Sequence, residues 1–227
     1  MYKTLLFTGI LSCLFMTSAN AFDFKQYISV KGLYNNMSND DKYKSIDVHD
    51  DSRPTEVKSG KFNFDDKVLG FAFAYGIKEG ALRGEIELNL HQDAKGYYPG
   101  EDRDRIKLKN NSLMFNAYYD IDTGTKFTPY VGVGAGAARL KTTSKVTYHH
   151  DNSTISYGKS KNTFAWQLGG GISYAATDNI NVDLGYRYVD NGSYTFSNRY
   201  DPREGDSSKE KVETTSHEFY LGARYAF

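Results

Sequence analysis

A serine next to a histidine is the arrangement in this sequence that could support nucleophilic catalysis. Ser216 precedes His217, and an imidazole that accepts the proton of a hydroxyl can activate it for acyl transfer. Successive residues of a strand point to opposite faces, so this pair cannot act as nucleophile and base without a bulge. The segment HHDNS at 149–153 also holds histidines near an acid and a serine. We interpret it as the solvated tip of a hairpin and predict no enzymatic activity.

Metal binding is the second chemistry that the histidines suggest. The tracts at 49–51 and 149–151 each place histidine beside aspartate. Adjacent side chains do not converge on one ion without a local turn and further ligands. Cys13, the sole cysteine, lies in a segment that we expect to be removed, so a cysteine-based site is excluded. We predict neither a metal nor a cofactor.

Charged residues occur within segments that otherwise alternate between apolar and small side chains. They occupy the alternate positions of each segment that carry the small side chains, and they are Arg83, Glu85, Glu87, Asp183, Arg187, Glu218 and Arg224. Paired carboxylates could perform the acid and base steps of glycoside hydrolysis. Unpaired charge in a low-dielectric interior is costly, so mutual neutralisation is the interpretation that we favour. We expect Arg224 low in the barrel with Asp183 and Glu85 above it. Arg187 should lie near the level of Glu218 or Tyr220.

Eight segments of alternating hydrophobicity must position these charges. They are 26–34, 67–77, 81–91, 111–120, 127–139, 163–174, 180–189 and 216–227. Apolar residues occupy one parity, whereas glycine, alanine and the charged residues occupy the other. A soluble β-sandwich, with its charged face in water, is the main structural alternative. The many glycines beside the charges favour a crowded interior instead.

Segment length and connection length favour a membrane barrel. About ten residues, tilted near 45°, cover the apolar band of an outer membrane of about 25 Å. Short connections alternate with long ones, and the long ones are 35–66, 92–108, 141–162 and 190–215. The sequence therefore predicts an all-β, eight-stranded antiparallel transmembrane β-barrel with short periplasmic turns and long extracellular loops. Its interior should be filled by side chains, which excludes a general porin.

The N-terminal segment predicts export. Residues 1–21 combine a basic start, a short apolar run and a small-residue cleavage site, as secretory signals do, and 22–227 form the predicted barrel domain. A lipoprotein signal cleaved before Cys13 is the alternative. The whole chain has 28 basic and 28 acidic residues, which gives no electrostatic reason to expect a nucleic-acid partner.

Three stretches resemble the opacity-protein-like outer-membrane barrels of Gram-negative bacteria. They are TPYVGVGAGAARLK, FAWQLGGGISYAATDNINVDLGYRYVDNGSY and HEFYLGARYAF. The resemblance implies an outer-membrane surface protein, in some relatives an adhesin or antigen that engages host receptors. It also implies that the outer-membrane assembly machinery reads a terminal strand with apolar residues at alternate positions. The matching residues are Phe219, Leu221, Tyr225 and Phe227, which could equally be present only to face lipid.

The long loops supply the predicted binding surface. Four lysines of the third loop oppose one acid, Asp151, which gives 4 − 1 = +3; these lysines are Lys141, Lys145, Lys159 and Lys161. If the flanking strands continue as a hairpin, we expect a compact cationic patch for a host-surface protein or anionic glycan. Simple solvation, or neutralisation by lipopolysaccharide phosphates, is the alternative.

The second loop places Tyr97 and Tyr98 beside a Pro-Gly turn and near arginines, a composition typical of binding hot spots and also of bilayer interfaces. The leading functional hypothesis is thus adhesion or receptor engagement through the loops. A membrane-stabilising barrel without a dedicated ligand and a lipid-modifying enzyme at the barrel rim are the two alternatives.

Overall fold

The computed structural model describes residues 24–47, 56–98, 101–147, 154–199 and 207–227. Side chains near the strand tips lie outside this description, as does the predicted signal at 1–21. The strands are β1 Lys25–Asp47, β2 Glu56–Glu79, β3 Leu82–His91, β4 Ala94–Tyr98, β5 Glu101–Asp120, β6 Phe127–Thr147, β7 Thr154–Ala175, β8 Ile180–Arg199 and β9 Ser207–Ala226. No helix in the described ranges is long and apolar enough to span a membrane.

The strands close into an antiparallel barrel. Apart from β3 and β4, strands that follow one another in the chain pair with each other; β1 also pairs with β9, and β3 pairs with β5. Strands β3 and β4 both lie against β5 and together occupy one strand position of the barrel wall, with an interruption at Gln92 and Asp93. We call each such strand position a stave. The barrel therefore has eight staves, and the predicted fold class is confirmed.

The alternation of side chains sorts the barrel wall into two faces. The predicted outward residues are exposed, among them Phe71, Phe115 and Leu184 at 59%, 60% and 61%. They form an apolar band around the middle of the barrel. The opposite parity is buried in the lumen, where glycine makes room for tyrosine rings. A Cβ atom on Gly185 would lie 2.3 Å from the Cζ atom of Tyr220 on the adjacent strand.

One end of the barrel, which we call the lower end, carries short turns. They lie at 80–81, 121–126 and 176–179, and Gly80 and Gly124 have the positive φ angles of 55° and 66° that tight turns favour. Phe24 and Phe227, the first described residue and the last, lie at this end as well. All the described breaks between the other strands lie at the opposite, upper end.

The upper ends of the strands correct the predicted loops. Pairing continues to Asp47 opposite Glu56, to Thr147 opposite Thr154 and to Arg199 opposite Ser207. Most of the four predicted long loops is therefore strand, which we call the extension. The prediction was wrong in extent because polar residues occupy both faces of these strands, so their sequences lack the hydrophobic alternation of a half-buried strand. The predicted continuation of the 141–162 segment as a hairpin is confirmed.

The extension is divided into two sheets. Pairing of β7 with β8 stops at Trp166 opposite Asp190, and pairing of β2 with β3 stops at Gly70 opposite His91. Above these points β2, β1, β9 and β8 form one sheet, and β4, β5, β6 and β7 form the other. Thr163 Oγ1 donates a hydrogen bond of 2.6 Å to the carbonyl oxygen of Asn191 where the β7–β8 seam begins.

Candidate functional site

The upper lumen holds a connected set of buried charges. Glu87 accepts hydrogen bonds from Lys31 at 2.5 Å and from Arg187 at 2.6 Å. Glu218 accepts one from Arg187 at 2.7 Å, and its other oxygen lies 3.1 Å from His91 Nε2. The Arg187 guanidinium thus joins carboxylates from two staves, a geometry that charge-assisted hydrogen bonds favour.

The lower lumen continues this pairing. Arg83 Nε donates to Asp120 at 2.8 Å, and Lys78 reaches the other oxygen of the same carboxylate. Arg224 lies 3.3 Å from Asp183. Above them, Lys31 contacts Glu85 at 3.0 Å. Two tyrosines, Tyr130 and Tyr220, share a hydrogen bond of 2.9 Å across the lumen.

All seven charges predicted for the barrel interior lie in the lumen, and three further residues complete the set. Lys31, Asp120 and His91 are buried there too, so that among the described residues four buried cations face five buried acids, with half-buried Lys78 as a fifth cation. The signal for Lys31 was present, since it shares the parity of Tyr27 and Ser29 within the first segment. Each of the five buried acids contacts a cation, so the arrangement supports a plug rather than acid and base catalysis.

The histidine candidates separate. Ser216 is buried and His217 is exposed, as alternation requires, and His217 Nδ1 lies 2.6 Å from the Tyr186 hydroxyl on the outer surface. The tracts at 49–51 and 149–153 fall outside the described residues. Within the part of the chain that the structure describes, no group of three acidic or histidine residues could hold a metal ion.

The four predicted lysines do not form one patch. Lys141 is exposed on the outer face, continuous with the apolar band. Lys161 lies opposite buried Leu140, and Lys159 lies opposite Thr142, so both belong to the face that continues the lumen. The predicted compact patch is wrong because the β6–β7 register places the two arms' lysines on different faces. The backbone of Lys145 pairs with Ser156, and its side chain lies outside the description.

Two other predicted groups have clear positions. Tyr97 and Tyr98 lie on β4, with a register irregularity between them, and their side chains are outside the description. The four residues of the predicted assembly signal are exposed on the outer face of the final strand or just after it; they are Phe219, Leu221, Tyr225 and Phe227.

Comparison with known proteins assigns the family. The model of the outer membrane protein beta-barrel domain matches residues 6–227. The chain belongs to this family. It is therefore a protein of the bacterial outer membrane, with the lower end in the periplasm and the extension outside the cell, and the resemblance to opacity-like barrels is confirmed.

Individual proteins are similar to this chain in sequence or in fold. Outer membrane protein PagN of Salmonella typhimurium is 35% identical over 151 residues, which are 64% of this chain and 62% of that protein. The chain thus spans less than two thirds of this relative. A Rickettsia massiliae protein, provisionally named an adhesin, is 30% identical over 80 residues, 35% of each chain. The crystal structure of Neisserial surface protein A gives a TM-score of 0.53 at 20% identity, covering 89% of this chain and 97% of that one.

Proposed function

We propose that this outer-membrane barrel attaches the cell to an anionic host surface, a glycan or an acidic protein, through its extracellular extension. The observation that carries the proposal is the contrast between a plugged lumen and a tall extracellular wall. Buried ion pairs occupy the lumen from Arg224 up to Glu218, whereas the strands continue beyond the apolar band to Thr147 and Thr154. Such a molecule is suited to binding at its extracellular surface rather than to transport through its lumen.

The plug supports display over transport. An eight-stranded barrel is just wide enough to be filled by its own side chains. Here the side chains of Arg187, Glu87 and Glu218 meet across that interior, with nitrogen to oxygen distances of 2.6 and 2.7 Å. A solute would have to break these contacts, and breaking buried ion pairs costs several kcal/mol.

The extension supplies a rigid binding surface. Backbone pairing runs to its described tips, so the surface is held by strands rather than by free loops. Binding residues commonly lie on segments that a rigid scaffold positions. The exposed lysines Lys159 and Lys161 lie on one face of β7, next to the seam. Residues two apart on a strand are separated by roughly 7 Å, so the two ammonium groups can contact successive anions of a sulfated chain.

The provisional adhesin name of the rickettsial relative supports the same class of function. Electrostatic attraction of this kind is screened within about 8 Å at physiological ionic strength. We therefore expect attachment that weakens as salt rises. A membrane-stabilising barrel without a ligand would show no such attachment.

Shortening one hairpin tests the proposal. Arg139 and Asn162 are cross-strand partners, so removal of 140–161, which contain both lysines, and closure by an Asn-Gly turn retains the register below them. The shortened protein should reach the outer membrane in normal amounts and show heat-modifiable mobility, yet cells that carry it should attach several-fold less to heparin-coated surfaces and to epithelial cells.

A charge variant refines that test. Lys159→Gln with Lys161→Gln should weaken attachment, most strongly at low salt. Lys25→Gln with Lys126→Gln removes the same charge at the lower end, where both lysines are exposed, and should leave attachment unchanged. Equal attachment by cells with the full-length protein, the shortened protein and no protein would overturn adhesion and favour the membrane-stabilising role.

A further inference from the structure

We infer that the outer face of β4, β5 and β6 binds the phosphorylated headgroup of an outer-leaflet lipid. The residues concerned, which we call the basic ladder, are Lys95, Lys107, Lys109, Arg139 and Lys141. They form a continuous cationic surface immediately above the apolar band. This surface is separate from the inner-face lysines of the proposed adhesive site.

The ladder places like charges directly opposite each other. Lys109 on β5 is the cross-strand partner of Lys141 on β6, and Lys95 on β4 is the partner of Lys107. Partners in an antiparallel pair have Cβ atoms about 5 Å apart, and like charges in such positions destabilise a sheet. Lys109 and Lys141 are both exposed, and Lys107 is half-buried. A bound anion would convert this repulsion into attraction.

Neutral side chains surround the β5 and β6 members of the ladder, whereas exposed Asp93 lies two residues before Lys95 on β4. The outward positions between it and its neighbours are Asn111, Leu113, Thr143, Ser160 and Asn162. In the described stretches 107–113, 137–143 and 158–164, no acid occupies the outer face. The Asp66 carboxylate, which accepts a hydrogen bond of 2.7 Å from the Lys95 backbone, marks the edge of the surface.

The β2, β1 and β9 side of the wall carries outward charges of both signs. Exposed Lys211 on β9 lies 2.5 Å from Glu213, and the backbone of Lys42 on β1 pairs with Lys61 on β2 and with Lys211. The backbone of Asp40 pairs with Glu213, so acids lie among these cations. The ladder differs in that its β5 and β6 members have no acid beside them on the described outer face.

The height of the ladder identifies the occupant. Arg139 lies two residues above Ala137 on β6, and Lys109 lies four residues above Leu113 on β5, which corresponds to roughly 7 to 13 Å along the strands. Lipid headgroups lie at this level, where the acyl chains covering the apolar band end. Phe115 and Phe164 extend the same surface downward into the band.

A phosphorylated glycolipid fits both parts of this surface. Its phosphates would bind the lysines and the bidentate guanidinium of Arg139, and its acyl chains would cover the aromatic side chains below. A free phosphate would use the ladder alone. The continuity of the basic and apolar surfaces favours the lipid.

Retention of lipid by the refolded barrel tests the inference. We would incubate the protein in detergent with diphosphoryl lipid A, and separately with lipid A stripped of its phosphates, and measure retained lipid by native mass spectrometry. Wild-type protein should retain the diphosphoryl lipid preferentially. Lys109→Gln with Lys141→Gln should lower retention by roughly tenfold or more, because each lysine near an anionic lipid surface strengthens binding severalfold.

The control is Lys61→Gln with Lys211→Gln, which removes two exposed outward cations on either side of Lys42 and should retain lipid as wild type does. Heat-modifiable mobility checks folding of both variants, and Arg139→Gln provides a milder change if the double variant folds poorly. Equal retention by ladder and control variants, or of both lipids by wild type, would overturn the inference. Complete competition by inorganic pyrophosphate would overturn it too, because the site would then bind free anions.

Discussion

Arg187 and Glu218 are cross-strand partners on β8 and β9, and their side chains form a buried ion pair of 2.7 Å inside the barrel. The same guanidinium reaches Glu87, which belongs to a distant stave, at 2.6 Å. Adjacent and non-adjacent staves are therefore joined through one side chain. This arrangement gives the lumen both its stability and its closure.

Removal of Arg187 should destabilise the barrel strongly. In Arg187→Met, Glu87 retains Lys31 and Glu218 retains His91, but both carboxylates lose their strongest partner. Loss of one member of a buried pair typically costs about 3 to 5 kcal/mol. Urea unfolding of the refolded protein, followed by Trp166 fluorescence, measures the change. Lys211→Met, which removes a solvent-exposed partner of Glu213, should cost less than about 1 kcal/mol; equal losses in the two variants would contradict the plug.

A methyl group at Gly185 should also be costly. Its Cβ would lie 2.3 Å from Tyr220 Cζ, so the ring must move into a packed lumen. Overpacking of this kind costs about 1 to 3 kcal/mol. Gly32→Ala is the control, because its nearest contact is a carbonyl oxygen at 3.9 Å. In a double-mutant cycle, Tyr220→Ala should remove most of the penalty at Gly185, and additive effects would argue against the steric explanation.

The apolar band should tolerate charge only at its upper border. Phe115 is 60% exposed on the outer face, and arginine there would face the hydrocarbon of the bilayer. Arginine near the bilayer midplane costs about 2 to 4 kcal/mol in such barrels. Phe115→Arg should therefore fold poorly in lipid vesicles. Asn111→Arg lies four residues higher on the same face of β5 and should fold normally. Similar folding yields for the two variants would place the band elsewhere.

The plugged lumen predicts that the protein does not conduct ions across a bilayer. Wild-type protein in planar bilayers should give no large, steady conductance, because paired side chains occupy the path. Arg187→Ala with Tyr220→Ala removes two of the largest groups and should introduce small, flickering currents. A persistent porin-sized channel in the wild-type protein would refute the filled-lumen interpretation.

The barrel wall could be predicted from the sequence because its inner and outer faces differ in polarity. Alternation alone places Phe115 outside and Glu87 inside. Strand direction places Arg187 near the level of Glu218 or Tyr220, and the β8–β9 register decides for Glu218. The extension carries polar residues on both faces, so alternation no longer distinguishes strand from loop there. The sequence consequently predicts the membrane-spanning part better than the part outside the cell.

The lysines illustrate a second limit. Continuing the alternation from Val133 places Lys141 outward, and continuing it from Gln167 places Lys161 inward, so parity could have separated them. The pairing of Lys141 with Lys109 required more, because it depends on the β5–β6 register. A register shift of one residue would move every side chain of the shifted strand to the other face. The spacing of residues within one segment does not determine this register.

The seam above Trp166 has a consequence for a protein crowded among copies of itself. The described part of β7 above that residue pairs with β6 alone, which leaves a strand edge that could template sheet growth between molecules. Lys159 and Lys161 project beside this edge on the lumen side. Inward-pointing charge on an edge strand discourages the addition of another strand. We therefore expect these two lysines to oppose edge-to-edge strand pairing between neighbouring barrels.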